Sequence, residues 1–379
     1  MPGWALSPPP AGRSLPGQMS PPASLAGPEQ KSYFFHGGAS SKGRALFPEG
    51  HAARPARSFP HPVAVRRAMR RAPALTNGCG ESMTDPRFEA YFTGPARQFL
   101  VRAIDLALEE DGDDLTSMAV FSPGDRLAAR IVAKEDTLVA GLPILPLVVS
   151  RLGEAERCTL SFLAADGDRV PDRTVVAAME GPAITMLKAE RVMLNFLCHL
   201  SGIANAVARA VAALAGTRTR LLDTRKTLPG LRYPEKYAVV VGGGVNHRKD
   251  LSEMLMFKDN HIDRAGGIPQ AMAALRKAYQ NRMDSMPPVE IECRTLAEVG
   301  QAVAEKPRRI MLDNMDHDTM RAALSMVPAG IETEVSGGVD VAALAGIGAL
   351  GPDFVSVGRI THSAKSADFS MLLQETASS

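Results

Sequence analysis

Residues 220–358 repeat one phrase: a short apolar strand, a polar or glycine-bearing end, then a helical stretch. The strand segments are Arg220-Leu-Leu-Asp, Glu253-Met-Leu-Met-Phe, Val289-Glu-Ile-Glu, Arg309-Ile-Met-Leu-Asp, Ile331-Glu-Thr-Glu-Val and Asp353-Phe-Val-Ser-Val. Helical patterns over 268–280, 295–305, 317–326 and 339–346 separate the later ones. Alternation of this kind predicts parallel β/α units, and in barrels built from them the reactive groups gather where the strands stop.

Those strand ends carry chemistry. They hold Thr224-Arg225-Lys226-Thr227, Gly242-Gly243-Gly244-Val245-Asn246-His247-Arg248-Lys249, Lys258-Asp259-Asn260-His261, Glu292, Asp313-Asn314, Ser336-Gly337-Gly338 and Gly358-Arg359. A surface ion-pair lattice accounts for any one of these groups but not for their placement. Arg225, Arg248 and Lys258, with His247, suit a small polyanion, since guanidinium meets carboxylate in a planar fork. Ser336-Gly337-Gly338 follows a strand and precedes a helix, where backbone amides can cradle a phosphate. Gly358 lies where barrels place the other side of such a site. Glu292 and Asp313 can take sugar hydroxyls or, through water, a hard divalent cation such as Mg²⁺. Gly242–Gly244 reads equally as a flexible loop or an anion nest, and His247 and His261 equally as ligand contacts or structural histidines. Glu290 alternates with Glu292, which assigns one of them to the opposite side of the strand.

Composition divides the rest. Residues 1–82 hold 13 of the 28 prolines, 10 Lys/Arg and 3 Asp/Glu; residues 83–379 hold 33 Lys/Arg against 38 Asp/Glu. A Pro/Arg-rich segment without a sustained period cannot offset its chain entropy, so 1–82 is expected to be disordered. It reads as an Arg-rich transit peptide, as sequence upstream of a true start at Met83 or Met69, or as a real extension; the composition break at Met83 favours the second. No apolar run reads as a membrane span, because charge, Gly or Pro interrupts each candidate. Cys79, Cys158, Cys198 and Cys293 have no CxxC spacing, which points to a reducing compartment without a zinc site.

Between the seam and the barrel, 96–110 has helical spacing, and 126–133, 137–142, 157–163 and 173–180 read as strands with a turn at Asp166-Gly167. Residues 185–215 are helical, with Ser201-Gly202 expected to divide two helices and Ser201 to cap the second. Arg191, inside that apolar stretch, reads either as a structural ion pair with the neighbourhood of Glu190 or as an arginine aimed at an anion, the former carrying more weight on residues alone. Cys293 is expected to pack.

Taken in order, Ala189-Glu-Arg-Val-Met-Leu-Asn-Phe-Leu with Ser201-Gly-Ile-Ala, Asp223-Thr-Arg-Lys-Thr-Leu-Pro-Gly-Leu-Arg, Glu235-Lys-Tyr-Ala, Gly242-Gly-Gly-Val-Asn-His-Arg, Lys258-Asp-Asn-His-Ile, Val289-Glu-Ile-Glu-Cys, Met311-Leu-Asp-Asn, Glu334-Val-Ser-Gly-Gly-Val and Ser356-Val-Gly-Arg-Ile-Thr-His resemble the quinolinate phosphoribosyltransferases, the carboxylating nicotinate-nucleotide pyrophosphorylases. The resemblance spans about residues 84–375. It implies an open seven-stranded α/β barrel of the type II phosphoribosyltransferase kind (206–362) with an N-terminal α/β sandwich (83–205) on which 363–379 packs. It implies transfer of phosphoribose from phosphoribosyl pyrophosphate to quinolinate with loss of carbon dioxide, a pentosyltransferase step that enters NAD biosynthesis and requires Mg²⁺. It also implies a cytoplasmic homodimer with a shared site, alone or within a higher oligomer, and no nucleic-acid or membrane partner.

By the same resemblance Arg191 reaches the quinolinate of the other subunit, which reverses the weight given to a structural pair. Arg225, His247 and Arg248 line the quinolinate carboxylates, and Lys226 and Thr227 bind substrate. Lys258 stands between quinolinate and pyrophosphate. Glu292 and Asp313 serve the ribose hydroxyls and Mg²⁺, partly through water and substrate, and with Lys258 form the catalytic set. Ser336, Gly337, Gly338 and Gly358 take the 5′-phosphate. Leu228 departs from the Thr usual in the family. A related barrel associated with molybdate transport, a Schiff-base barrel using Lys258 and a binding protein are the rival readings; the joint presence of the cations, both carboxylates and the phosphate loop weighs against them.

Overall fold

The computed structural model describes residues 85–374. The expected tail, 1–82, and Cys79 lie outside the described residues.

The chain enters through three helices, α1 (Pro86–Tyr91), α2 (Gly94–Glu110) and α3 (Leu115–Val120). Asp85 caps α1 by accepting from the Arg87 amide, with Pro86 preset for the first helical position, and Asp114 caps α3 by accepting from Ser117. Strands β1 (Arg126–Ala133), β2 (Thr137–Leu138), β3 (Thr159–Phe162), β4 (Arg169–Val170) and β5 (Val175–Pro182) follow, with helix α4 (Leu145–Arg151) between β2 and β3. The expected strand 137–142 stops after two residues. Gly141 at φ 108° and Pro143 turn the chain into a short 3-10 segment, and Asp166 fixes the turn by accepting from the Gly141 and Leu142 amides at 2.8 and 3.0 Å.

Helix α5 (Ala183–Ala213) is one uninterrupted rod of 31 residues. The expected break at Ser201-Gly202 does not occur. Ser201 is buried inside the helix, where its hydroxyl accepts from the Ala140 amide at 2.9 Å. A Cβ at Gly202 would collide with the carbonyl oxygen of Lys365, so the pair marks a close approach of two segments. By length and apolarity α5 passes for a membrane span. Here its apolar residues pack in the protein core, from Met186 and Ala189 to Val207 and Ala210.

The second part alternates β6 (Arg220–Leu222), α6 (Arg232–Val241), β7 (Leu255–Phe257), α7 (Asp259–Ala265), α8 (Ile268–Tyr279), β8 (Val289–Cys293), α9 (Leu296–Glu305), β9 (Arg309–Asp313), α10 (His317–Met326), β10 (Glu332–Ser336), α11 (Leu344–Leu350), β11 (Phe354–Ser356) and α12 (Arg359–His362). The expected helix 339–346 is a 3-10 turn at Val341–Ala343 leading into α11. All six strands are parallel, in the order β6-β11-β10-β9-β8-β7. Val245 bridges Leu222 in parallel on the free side of β6, a seventh strand reduced to one residue, so the barrel is open between Val245 and β7. The last strand, β12 (Phe369–Leu373), returns to pair antiparallel with β1, completing the four-stranded sheet β12-β1-β5-β3.

Candidate active site

The strand ends of the parallel sheet form a mouth. At the end of β6 the loop carrying Arg225, Lys226 and Thr227 is held by local bonds. Thr224 Oγ1 accepts from the Lys226 amide at 3.0 Å, and Thr227 Oγ1 accepts from Arg232 Nε at 3.4 Å. Glu235, fully buried on α6, accepts from the Leu228 amide at 3.2 Å and lies 3.0 Å from His199 Nε2 on α5. Arg232 also donates to the carbonyl of Lys249 at 3.1 Å, tying this loop to the next.

That next loop presents Arg248, 9% exposed, with Nη1 donating to the Met254 carbonyl at 2.8 Å. Burial lowers the Arg248 pKa, and the nearby charge of Arg225 lowers it further. Arg225 Nε is buried without a hydrogen-bond partner. Neither arginine forms an ion pair among the described residues. Two like charges held close in a partly dry cleft, with donors left open, are able to take an anion with two carboxylates.

Gly242–Gly244 is neither of the two things expected of it. A Cβ at Gly242 would lie 2.7 Å from the Ala204 carbonyl oxygen and the Val207 Cβ, and one at Gly244 would lie 2.8 Å from Val239 Cγ1. The glycines let the end of α6 pack directly on α5.

Across the mouth, Lys258 precedes α7, and its Nζ is 3.6 Å from Glu292 Oε2 at the end of β8. Burial raises the Glu292 pKa, and the charge of Asp313 at the end of β9 raises it further, against the opposing pull of Lys258. Asp313 is in register with Ser336 of β10 and accepts from Asn314 Nδ2 at 2.9 Å. Two neighbouring carboxylates, with one lysine beside them, offer hard oxygen donors of the kind Mg²⁺ takes. Gly337 at φ 92° and Gly338 at φ 58° turn the chain after Ser336, and a Cβ on Gly337 would collide with Asn314. A Cβ on Gly358 would lie 3.0 Å from Lys226 Cδ, so the lysine stem lies along the β11 exit. The structure thus gathers Arg225, Lys226, Thr227, Arg248, Lys258, Glu292, Asp313, Ser336, Gly337, Gly338 and Gly358 around one sheet end.

Arg191 stands apart, exposed on α5, and forms no ion pair among the described residues. The structural pair considered for it is therefore absent there. His261 Nδ1 accepts from the Lys258 amide at 3.0 Å at the start of α7, which gives the ring one structural bond. Cys293 is buried and its thiol is pushed up to about 12 by burial, as packing requires.

His247 lies beneath the mouth, 6% exposed. Its Nδ1 accepts from the Arg248 amide at 2.6 Å, which leaves the ring proton on Nε2. Nε2 is 3.1 Å from Glu290 Oε2 and 3.4 Å from Glu334 Oε2. Glu290 therefore does not turn to the opposite side of the strand from Glu292. Residues two apart share a strand face, and both point inward. Burial pushes Glu290 and Glu334 each up to about 7, against the pull of Arg309, whose Nη1 donates to Glu334 at 2.9 Å. His247, Glu290 and Glu334 put ligand-type atoms within 4.8 Å of one another. With Nε2 protonated, however, the imidazole has no lone pair to give a metal.

The residues that sequence reasoning missed lie one layer down: Asp223, Glu235, Lys236, Asn246, Glu290, Glu334 and Arg309. The signal was available in Glu235-Lys236, two charges within the otherwise apolar run Tyr237-Ala238-Val239-Val240-Val241 and its approach.

Comparison with known proteins agrees with this architecture. Residues 114–201 match the family model for the quinolinate phosphoribosyl transferase N-terminal domain, and residues 203–372 match that for the C-terminal domain. A probable carboxylating nicotinate-nucleotide pyrophosphorylase of Bacillus subtilis is 40% identical over 265 residues, covering 70% of this chain and 89% of that one. The carboxylating nicotinate-nucleotide pyrophosphorylase of Mycobacterium leprae is 35% identical, covering 70% and 94%. Among solved structures, the nicotinate-nucleotide pyrophosphorylase from Francisella tularensis superposes with a TM-score of 0.69 at 33% identity, covering 75% of this chain and 99% of that one. With both domain models matched in order and relatives covered over most of their length, the chain belongs to the quinolinate phosphoribosyl transferase family.

Proposed function

We propose that this chain transfers the phosphoribosyl group of phosphoribosyl pyrophosphate to quinolinate, releasing pyrophosphate and carbon dioxide and leaving nicotinate mononucleotide. The observation that carries this reading is the Arg225–Arg248 pair, two partly buried guanidinium groups that form no ion pair among the described residues. Quinolinate, with carboxylates on adjacent ring carbons, supplies two negative charges to the two guanidiniums, and in a cleft of lowered dielectric each contact is worth more than in water.

Opposite them, Ser336–Gly338 and Gly358 receive the 5′-phosphate through backbone amides, with Lys226 alongside. Glu292 and Asp313 take the ribose hydroxyls and would hold Mg²⁺. When bound, that ion neutralises pyrophosphate charge. Lys258 stabilises the same charge as the bond from the ribosyl carbon to pyrophosphate oxygen breaks. The pyridine nitrogen forms the new bond to that carbon and becomes cationic. The bond from the ring to the adjacent carboxylate then breaks, its electron pair held next to the cationic nitrogen until a proton replaces the carbon dioxide. The pathway needs no covalent nucleophile.

We read the protein as a cytoplasmic homodimer in which Arg191, exposed on α5 and without an ion pair among the described residues, completes the partner's quinolinate site. Mixed dimers of Arg191→Ala and Lys258→Ala subunits then contain one intact site. Remixing equal amounts is expected to restore up to about a quarter of wild-type activity. No recovery, with subunit exchange confirmed by mass tag, would place both residues in one subunit's site.

The decisive assay is release of carbon dioxide from carboxyl-labelled quinolinate. It is expected to require phosphoribosyl pyrophosphate and Mg²⁺ together. Equal turnover of nicotinate, which lacks the second carboxylate, would sink the assignment.

A further inference from the structure

The residue that precedes the first arginine loop is a buried carboxylate to which the reading above gives no task. Asp223 is 0% exposed, and both its oxygens are spent on the neighbouring loop. Oδ1 accepts from the His247 amide at 2.7 Å and from Lys236 Nζ at 2.5 Å, while Oδ2 accepts from Asn246 Nδ2 at 2.8 Å. The Asp223 amide donates to the Val245 carbonyl at 3.2 Å. Lys236, also fully buried, donates to the His247 carbonyl at 2.9 Å, and Asn246 Nδ2 donates to the Lys236 carbonyl at 2.9 Å. The residue two before Arg225 and the two residues before Arg248 are thus tied in one knot, and His247 passes the restraint on by accepting from the Arg248 amide.

We propose that Asp223, with Lys236, is a positioning residue that fixes the separation of Arg225 and Arg248 and so sets the site's preference for two adjacent carboxylates over one. The inference rests on the proposed quinolinate reading. Its physical basis is that the two guanidiniums repel one another and neither has a carboxylate in ion-pair contact among the described residues. Loops carrying them relax apart unless something holds them; Arg232 ties their outer ends, from Thr227 to Lys249, and the knot joins them at their roots. A purely structural ion pair has no need to spend every acceptor on the segment leading into Arg248. The strand that a barrel would ordinarily use for this restraint is here a single bridge at Val245, which leaves the side-chain knot to do its work.

The test replaces the pair by apolar residues of similar volume, Asp223→Leu with Lys236→Met. Removing both charges together avoids stranding either one in the interior. Thermal unfolding, titration calorimetry with quinolinate and steady-state kinetics are measured on the intact protein. The expected result is an unfolding temperature near that of the wild type, quinolinate binding weakened about 10- to 100-fold, a matching rise in KM for quinolinate with KM for phosphoribosyl pyrophosphate nearly unchanged, and reduced discrimination against nicotinate. A stable double variant that binds quinolinate as the wild type does overturns the proposal and leaves the function standing. Wild-type protein that fails to bind quinolinate overturns both. Should the double variant not fold, Asn246→Ala removes one anchor alone. Its quinolinate KM is expected to rise about threefold or more at unchanged unfolding temperature, and an unchanged KM counts against the knot.

Discussion

The two ends of the barrel treat positive charge in opposite ways. At the floor, where the strands begin, each of four neighbouring contacts joins an arginine to a carboxylate: Arg308 to Glu332 at 2.6 Å, Arg309 to Glu332 at 3.1 Å and to Glu334 at 2.9 Å, and Arg218 to Asp353 at 3.5 Å. At the mouth, where the strands end, Arg225 and Arg248 stand together without such partners among the described residues. The floor spends charge on folding; the mouth holds it open for a ligand. Like charge held unpaired in a partly buried cleft identifies the working end better than the number of charges does.

Four measurements probe that contrast. The largest effect is expected at Arg309→Leu. Arg309 is nearly buried, stacks over the Phe354 ring at 4.2 Å and balances the Glu290–Glu334 pair. Removing it strands buried negative charge and is expected to cost about 3–5 kcal/mol in chemical denaturation. A loss below about 1 kcal/mol would show that the floor pairs are not structural.

Arg225→Met is the counterpart at the mouth. It relieves repulsion on Arg248, so stability is expected to hold or rise slightly. Quinolinate affinity is expected to fall by about 2–4 kcal/mol, read by calorimetry. A variant that loses stability and keeps affinity would reverse the comparison.

The raised carboxyls of Glu290 and Glu334 give a pH signature. Both folded-state values are raised to about 7 from an ordinary 4.5. Between those values the native state holds protons that the unfolded chain releases, so this stabilisation is complete below about pH 4.5 and is lost as pH rises through 7. The urea midpoint is expected to fall across that window by an amount equivalent to about 1–3 kcal/mol, and Glu334→Gln to flatten the dependence. An identical pH profile in the variant would remove the pair as its source. The smallest effect is expected at Arg308→Ala, whose side chain is 60% exposed: about 0–1 kcal/mol in the same denaturation assay.

Much of the mouth was legible from the chain because strand ends are marked twice, by the stop of an apolar run and by the polar group that follows. Arg225, Lys258, Glu292, Asp313 and Ser336 all carry that double mark. The layer below carries only half of it. Asp223 reads as the last letter of a strand, and Glu290 and Glu334 read as polar positions in short strands. Nothing local tells that three strands bring Glu290, Glu334 and Arg309 together, because their meeting depends on register across the sheet. The missed continuity of α5 has a similar origin. Ser201-Gly202 is a break signal by propensity, and only the approach of Lys365 and Ala140 shows that small residues there serve packing.

That uninterrupted helix bears on how the protein comes apart. At 1.5 Å per residue it is roughly 45 Å long. Leu200 lies where a Cβ on Gly141 would touch it, within the reach of the antiparallel sheet, while Ala204 and Val207 receive Gly242 from the barrel side, and Leu214 meets Gly348. One rod is thus core to both halves. Neither half can melt without stripping packed surface from the helix that the other still needs, so heat is expected to produce a single sharp endotherm in place of two, with the calorimetric and van't Hoff enthalpies in agreement.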